Sequence, residues 1–280
     1  MPSVRATPRP VTPPATTSTS TSTSTTPRTG AQTPKTAGAG WVASPTANDI
    51  NGKAAKVVAA DPKLQALVNA AKPAFAGKKV LMVGDSHTVG FFGERFDTLL
   101  RAAGAKTRSY GTAGSKPSWW VAGTSGAMGA SVRETNRVID DGKPWNTKRP
   151  TPKLADLLGA EKPDVLVIAL GANFRAESAK GLTSQVRALA DQAKALGITL
   201  VWVGPPNTKQ DLAAPEGLKR FDAAVATALG PDGTYVASSP HTQTYSGSDG
   251  VHFNGAAGRA LANDWAGAVF SDAAKSLLGR

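Results

Sequence analysis

Lys78-Lys79-Val80-Leu81-Met82-Val83-Gly84-Asp85-Ser86-His87 decides the fold. Two lysines lead into an unbroken apolar run that stops at a glycine. A run of this kind reads as a strand buried on both faces, as in a parallel sheet covered by helices. Open α/β sheets bind ligands at the carboxyl ends of their strands. There the chain places Asp85, Ser86 and His87.

Outward from this strand, apolar runs alternate with helical patterns. Strands are predicted at 79–84, 105–110, 164–170, Ile198 to Val203 and 234–237, with helices at 88–103, 178–196, 216–229 and 255–270. Such alternation predicts an α/β fold with helices on both faces of a parallel sheet. The expectation is a flavodoxin-like three-layer α/β/α sandwich with a central five-stranded parallel sheet in which the first strand is central. Residues 111–150, rich in Gly, Ser and Trp, are too long for an ordinary connection and read as an irregular functional loop. Upstream, Asp49 to Ala71 reads as helical, with Val57, Val58, Leu64, Leu67 and Val68 as its apolar face and Pro62 interrupting it. Residues 1–45, dominated by Thr, Ser, Pro, Ala and Gly, read as a disordered tether. The expected division is an arm at 1–45, a helical lead-in at 46–77 and a catalytic domain at 78–280.

Bulk composition narrows the chemistry. The chain has 280 residues, 40% of them hydrophobic, enough for a normal core. It has no cysteine, which excludes disulfides and thiolate metal sites, and its three histidines lack metal-ligand spacing. No metal, nucleotide or flavin is implied. The net charge of +12 favours anionic polymers. The basic residues are spread along the chain without aromatic interleaving, which argues against specific nucleic-acid binding. No segment reads as a membrane span, and the amino terminus lacks the apolar core of a signal peptide. An extracellular, cell-envelope or virion location is the expectation; the arm reads first as a plain tether, with attachment to an assembly partner as the alternative.

A serine hydroxyl becomes a nucleophile when a neighbouring base takes its proton. His87 is adjacent to Ser86 and diverges from it, whereas His241 has no fixed partner in sequence. His252 has Asp249 three residues earlier, in Asp249-Gly250-Val251-His252-Phe253, where a carboxylate can curl back to Nδ1. Gly111-Thr112-Ala113-Gly114-Ser115 follows the second predicted strand and Leu170-Gly171-Ala172-Asn173 the third. Both lie on the edge that carries Ser86, where N–H groups can face an oxyanion.

In order and content these four blocks, spanning roughly residues 78–270, resemble the SGNH (GDSL-type) hydrolases. The resemblance implies Ser86 as nucleophile, His252 as base and Asp249 as its orienting acid. It also implies an oxyanion hole made by the N–H groups of Ser86 and Gly114 and by Asn173. Gly111 is the rival to Gly114, which is preferred because it lies beyond the strand end and is followed by Ser115. Two departures stand out. Gly-Asp-Ser-His replaces the Leu of the family's second name, and Gly-Ala-Asn-Phe lacks the Asp that often follows the Asn. The first is similar to a branch acting on O-acetyl groups of polysaccharides, which includes acyltransferases and esterases. Asp85 is assigned no chemistry beyond supporting the turn.

Trp119 and Trp120 are substrate-binding candidates, able to stack on sugar or wall an acyl pocket, though adjacent residues face different ways. Trp145 and Trp202 read as packing, and Arg175 as a solvated cation or a contact for an anionic substrate group. The resulting expectation is a serine esterase removing small acyl groups, acetyl foremost, from a carbohydrate or envelope polymer. The alternatives are an O-acyltransferase at the same site and a virion or envelope attachment protein that uses the domain to bind glycans.

Overall fold

A computed structural model describes residues 50–126, 130–133, 138–139 and 149–279. The expected arm and Trp145 lie outside them. The helices are α1 (Ile50–Ala59), α2 (Pro62–Phe75), α3 (Ser86–Val89), α4 (Phe91–Ala102), α5 (Pro117–Ala122), α6 (Leu154–Glu161), α7 (Ala179–Ala195), α8 (Lys209–Ala213), α9 (Glu216–Leu229) and α10 (Gly255–Leu278). The strands are β1 (Lys79–Gly84), β2 (Lys106–Thr112), β3 (Ser125–Gly126), β4 (Ala130–Arg133), β5 (Val138–Ile139), β6 (Arg149–Pro150), β7 (Val165–Ala169), β8 (Thr199–Val203) and β9 (Thr234–Val236).

Side chains alternate across a strand, so Val80 and Met82 leave β1 on one face and Leu81 and Val83 on the other. All four are fully buried, the first pair in a core with α1, α2, α4 and α10, the second in a core with α5, α6, α7 and α9. Two covered faces explain the unbroken apolar run. The main sheet runs β5-β4-β2-β1-β7-β8-β9. The strands from β2 to β9 in that order are parallel, giving the flavodoxin arrangement 2-1-3-4-5 with β1 at the centre of the whole sheet.

Several sequence expectations need correction. The helix expected across 49–71 is two helices, because Pro62 opens a new one whose amino end is capped by the Asp61 carboxylate on the N–H groups of Lys63 and Leu64. Val57, expected on the apolar face, is 45% exposed. Segment 111–150 is not simply irregular. It contributes α5, the small antiparallel β3–β6 pair, and the strands β4 and β5 that extend the sheet, β4 antiparallel to β2 and β5 antiparallel to β4. Their runs are too short to register as a period in sequence. Helix α10 continues past 270 to Leu278, carrying Ala273 and Ala274 into the core.

Register sets the position of the site. Gly84 pairs with Gly111 on one side and with Ala169 on the other, and Ala169 pairs with Val203, so the carboxyl ends of four neighbouring strands finish level. Gly84 must be glycine: an added Cβ would lie 1.9 Å from Thr88 Oγ1 and 2.7 Å from Ala169 O. Beyond the sheet, Phe92 of α4 stacks on Trp265 of α10 with centroids 3.8 Å apart. Such a pair contributes about 0.5–1.5 kcal/mol beyond its burial, and it ties the helix after Ser86 to the helix after His252.

Candidate active site

Ser86 is the first residue of α3, a single turn entered directly from β1. Asp85 caps that turn, accepting the His87 N–H at 3.0 Å, so the carboxylate supports backbone as expected. The Ser86 hydroxyl lies 2.8 Å from His252 Nε2. With Nδ1 protonated, His252 donates to Asp249 Oδ2 at 2.6 Å. Asp249 Oδ1 accepts the N–H groups of His252 and Val251 at 2.8 and 2.9 Å. Burial would raise the Asp249 carboxyl, but these hydrogen bonds outweigh it and hold the group well below the ordinary carboxylate range. This arrangement can move a proton from the serine to the imidazole and balance the resulting imidazolium.

The donors around Ser86 follow from the strand ends. Gly111 lies inside β2, between β1 and β4, whereas Gly114 follows the strand with φ +78°. Among the described residues the N–H groups of Ser86 and Gly114 take no partner. Ser115 Oγ donates to Gly84 O at 3.3 Å, anchoring the Gly114 loop to the end of β1. Asn173 Nδ2 donates to Ser115 O at 3.0 Å, and its second hydrogen takes no partner among the described residues. Gly114 and Asn173 thus lie on the loops that follow β2 and β7, the two strands that flank β1 and Ser86.

The tryptophan pair divides. Trp119 is half-buried, and a side chain added at Gly114 would meet its ring at 3.8 Å. Trp120 is fully buried, with Nε1 donating to Ser115 Oγ at 3.1 Å. The sequence offered both as candidates with at most one facing substrate; core packing buries Trp120 and leaves Trp119 partly exposed. Trp202 is buried, donating to Leu170 O at 2.9 Å. Arg175 is not free, being paired with Asp211 and donating to Thr208 Oγ1 at 3.3 Å. His241 pairs with Asp272 at 2.8 Å. Tyr245 escaped the sequence reading. Its hydroxyl lies 3.3 Å from Asp249 Oδ1 and 3.1 Å from His252 O, bracing the acid loop. A tyrosine four residues before Asp249 has no local pattern that marks it.

Beneath the site, burial pushes the Asp85 carboxyl up from 3.8 to about 6 and the His87 imidazole down from 6.5 to about 3. Between pH about 4 and 6, folding therefore takes up a proton at Asp85 and releases one at His87, and the two slopes cancel. Asp85→Asn leaves the depressed histidine alone, so stability should rise with pH relative to the wild type, by about 1.4 kcal/mol per unit. His87→Phe leaves the raised carboxyl alone, and stability should fall with pH across the same window. Urea unfolding at several pH values from about 4.5 to 6 checks this, and slopes of the same sign in both variants would contradict it.

A cavity of about 40 Å³ opens beside the reacting groups, walled by Ser86, His252, Gly90, Phe91, Phe92 and Ala262. A larger cleft of about 410 Å³ begins at Arg175, two residues past Asn173, with Glu177, Gln210 and Arg220 over Leu182 and Phe221.

No family model and no curated protein matches the chain. Among solved structures it is similar to a GDSL-like lipase from Bacteroides thetaiotaomicron, with 16% identity and TM-score 0.45 over 71% of this chain and 88% of that one. It is also similar to a candidate SGNH hydrolase from Slackia heliotrinireducens, with 20% identity and TM-score 0.45 over 70% and 97%. A third is a family 3 carbohydrate esterase from Clostridium thermocellum, with 18% identity and TM-score 0.43 over 67% and 92%. In the order of its four sequence blocks and in their placement at one edge of the sheet, the chain resembles the SGNH hydrolases.

Proposed function

We propose that the protein is a serine esterase that removes small acyl groups, acetyl foremost, from a carbohydrate or envelope glycoconjugate. The observation that carries the hydrolase reading is the continuous line Asp249–His252–Ser86, at 2.6 and 2.8 Å. Ser86 Oγ attacks the ester carbonyl while His252 Nε2 takes its proton. The oxyanion is held by the N–H groups of Ser86 and Gly114 and by Asn173. Collapse breaks the bond to the alcohol oxygen, which receives the proton from His252. Water, deprotonated by the same imidazole, then attacks the acyl-enzyme and restores Ser86.

Size supports acetyl. The cavity beside Ser86 and His252, about 40 Å³, has room for a group of acetyl size. The polar rim of the cleft beyond Asn173 suits a hydroxyl-rich alcohol such as a sugar.

Turnover of p-nitrophenyl acetate, butyrate and octanoate tests the acyl group, and acetate release from acetylated glycans tests the alcohol. The expected result is hydrolysis that falls steeply from acetate to octanoate. Equal turnover of octanoate overturns the acetyl reading. A rate that rises when sugar acceptors are added, with acetyl recovered on the sugar, would identify transfer instead.

A further inference from the structure

Arg133 closes β4, the strand that segment 111–150 adds to the edge of β2. Its guanidinium is buried, with the residue 8% exposed. Nη1 donates to Thr88 O at 2.9 Å and Nη2 to Val89 O at 3.0 Å. These are the last two carbonyls of α3, the turn whose first residue is Ser86. Carbonyls at the end of a helix lack intrahelical partners and need outside donors. A planar guanidinium can serve two neighbouring oxygens at once, whereas an ammonium group offers a point charge. Burying that cation is unfavourable, although Asp97 and Glu94 offset part of the cost. Thr88 O is confined from a second side too, since a Cβ on Gly93 would lie 1.9 Å from it. One turn of helix has little rigidity of its own, so its orientation depends on these outside contacts.

We infer that Arg133 is a positioning residue for the nucleophile, fixing α3 so that Ser86 presents both its hydroxyl to His252 and its N–H to the oxyanion. The insertion between β2 and β7 thereby serves the chemistry from behind, by supplying the guanidinium. This rests on Ser86 being the nucleophile.

The experiment compares wild type, Arg133→Lys and Arg133→Met. It measures kcat and KM on p-nitrophenyl acetate and the rate of covalent labelling by a fluorophosphonate, which reports serine reactivity without deacylation. Displacing a reacting group by about 1 Å costs on the order of 100-fold. The expected result is a loss of roughly 10- to 100-fold in labelling and kcat in both variants, with KM little changed. Added methylguanidinium should restore part of the labelling rate in the methionine variant and leave the wild type unaffected. If the methionine variant does not fold, the lysine variant, which keeps the charge and most of the stem, decides. A folded variant that labels and turns over at the wild-type rate overturns the inference. A wild type that fails to label overturns the serine reading itself.

Discussion

Alanine at Ser86 is expected to reduce ester turnover by on the order of 10⁶-fold, and alanine at His252 by a similar factor. The reason is interdependence. Ser86 Oγ has its base 2.8 Å away, and without that base a neutral hydroxyl is a poor nucleophile; without the hydroxyl the base has nothing to activate. The double variant should therefore be no slower than either single one. Neither change should unfold the protein, since Ser86 contributes no core packing and His252 is held largely through its backbone by Asp249 Oδ1 and Tyr245. Active-site titration by the burst of p-nitrophenol, alongside thermal unfolding, measures both. Losses that multiply in the double variant would mean that the two residues act separately.

Alanine at Asn173 is expected to reduce kcat by about 10²–10³-fold, the usual effect of losing one oxyanion donor. Asn173 Nδ2 carries two hydrogens. One goes to Ser115 O at 3.0 Å, which fixes the side-chain plane, and the other takes no partner among the described residues. Removing the amide also releases Ser115 O, a loss of about 1 kcal/mol that should appear as a small drop in unfolding stability. The effect on turnover should far exceed that structural effect and fall on kcat rather than KM, because the donated bond strengthens only as charge develops on the substrate oxygen. Asn173→Asp, which puts a negative charge where the oxyanion forms, should be slower still. Full turnover in a folded Asn173→Ala protein would remove the residue from the oxyanion hole.

Much of the site was legible because its residues sit next to strong local signals. Val80 to Val83 read as a strand covered on both sides, as the structure has it, and the glycine that ends it announces the turn bearing Ser86. Asp249 and His252 were readable as a pair because three residues is the spacing at which a carboxylate reaches back to the ring it orients. Gly114 was preferred to Gly111 for its distance from the strand end, and the structure puts Gly111 within β2 and Gly114 beyond it. The tryptophan pair marks where local reading stops. Two adjacent residues on a short helix face different ways, and only packing shows that Trp120 turns inward to Ser115 while Trp119 stays against Gly114.

Arg175 and Arg133 mark the same limit for charge. In sequence each is an arginine in a polar stretch. In the fold, Arg175 is held by Asp211 and Thr208, and Arg133 is driven into the back of α3. Their partners are dozens of residues away, and no period or motif connects them.

The sequence by itself determined the five parallel strands, the main helices between them and the identity of the groups at the strand ends, because hydrophobic periodicity and short-range turn chemistry act over a few residues. Tertiary structure alone decided the antiparallel extension of the sheet, the burial of Trp120, and the desolvation that raises Asp85 and lowers His87 beneath the site. It also decided the anchoring of the Ser86 turn by Arg133. Each of these depends on which distant surfaces are brought together and how much water they exclude, and that is fixed only when the whole core closes.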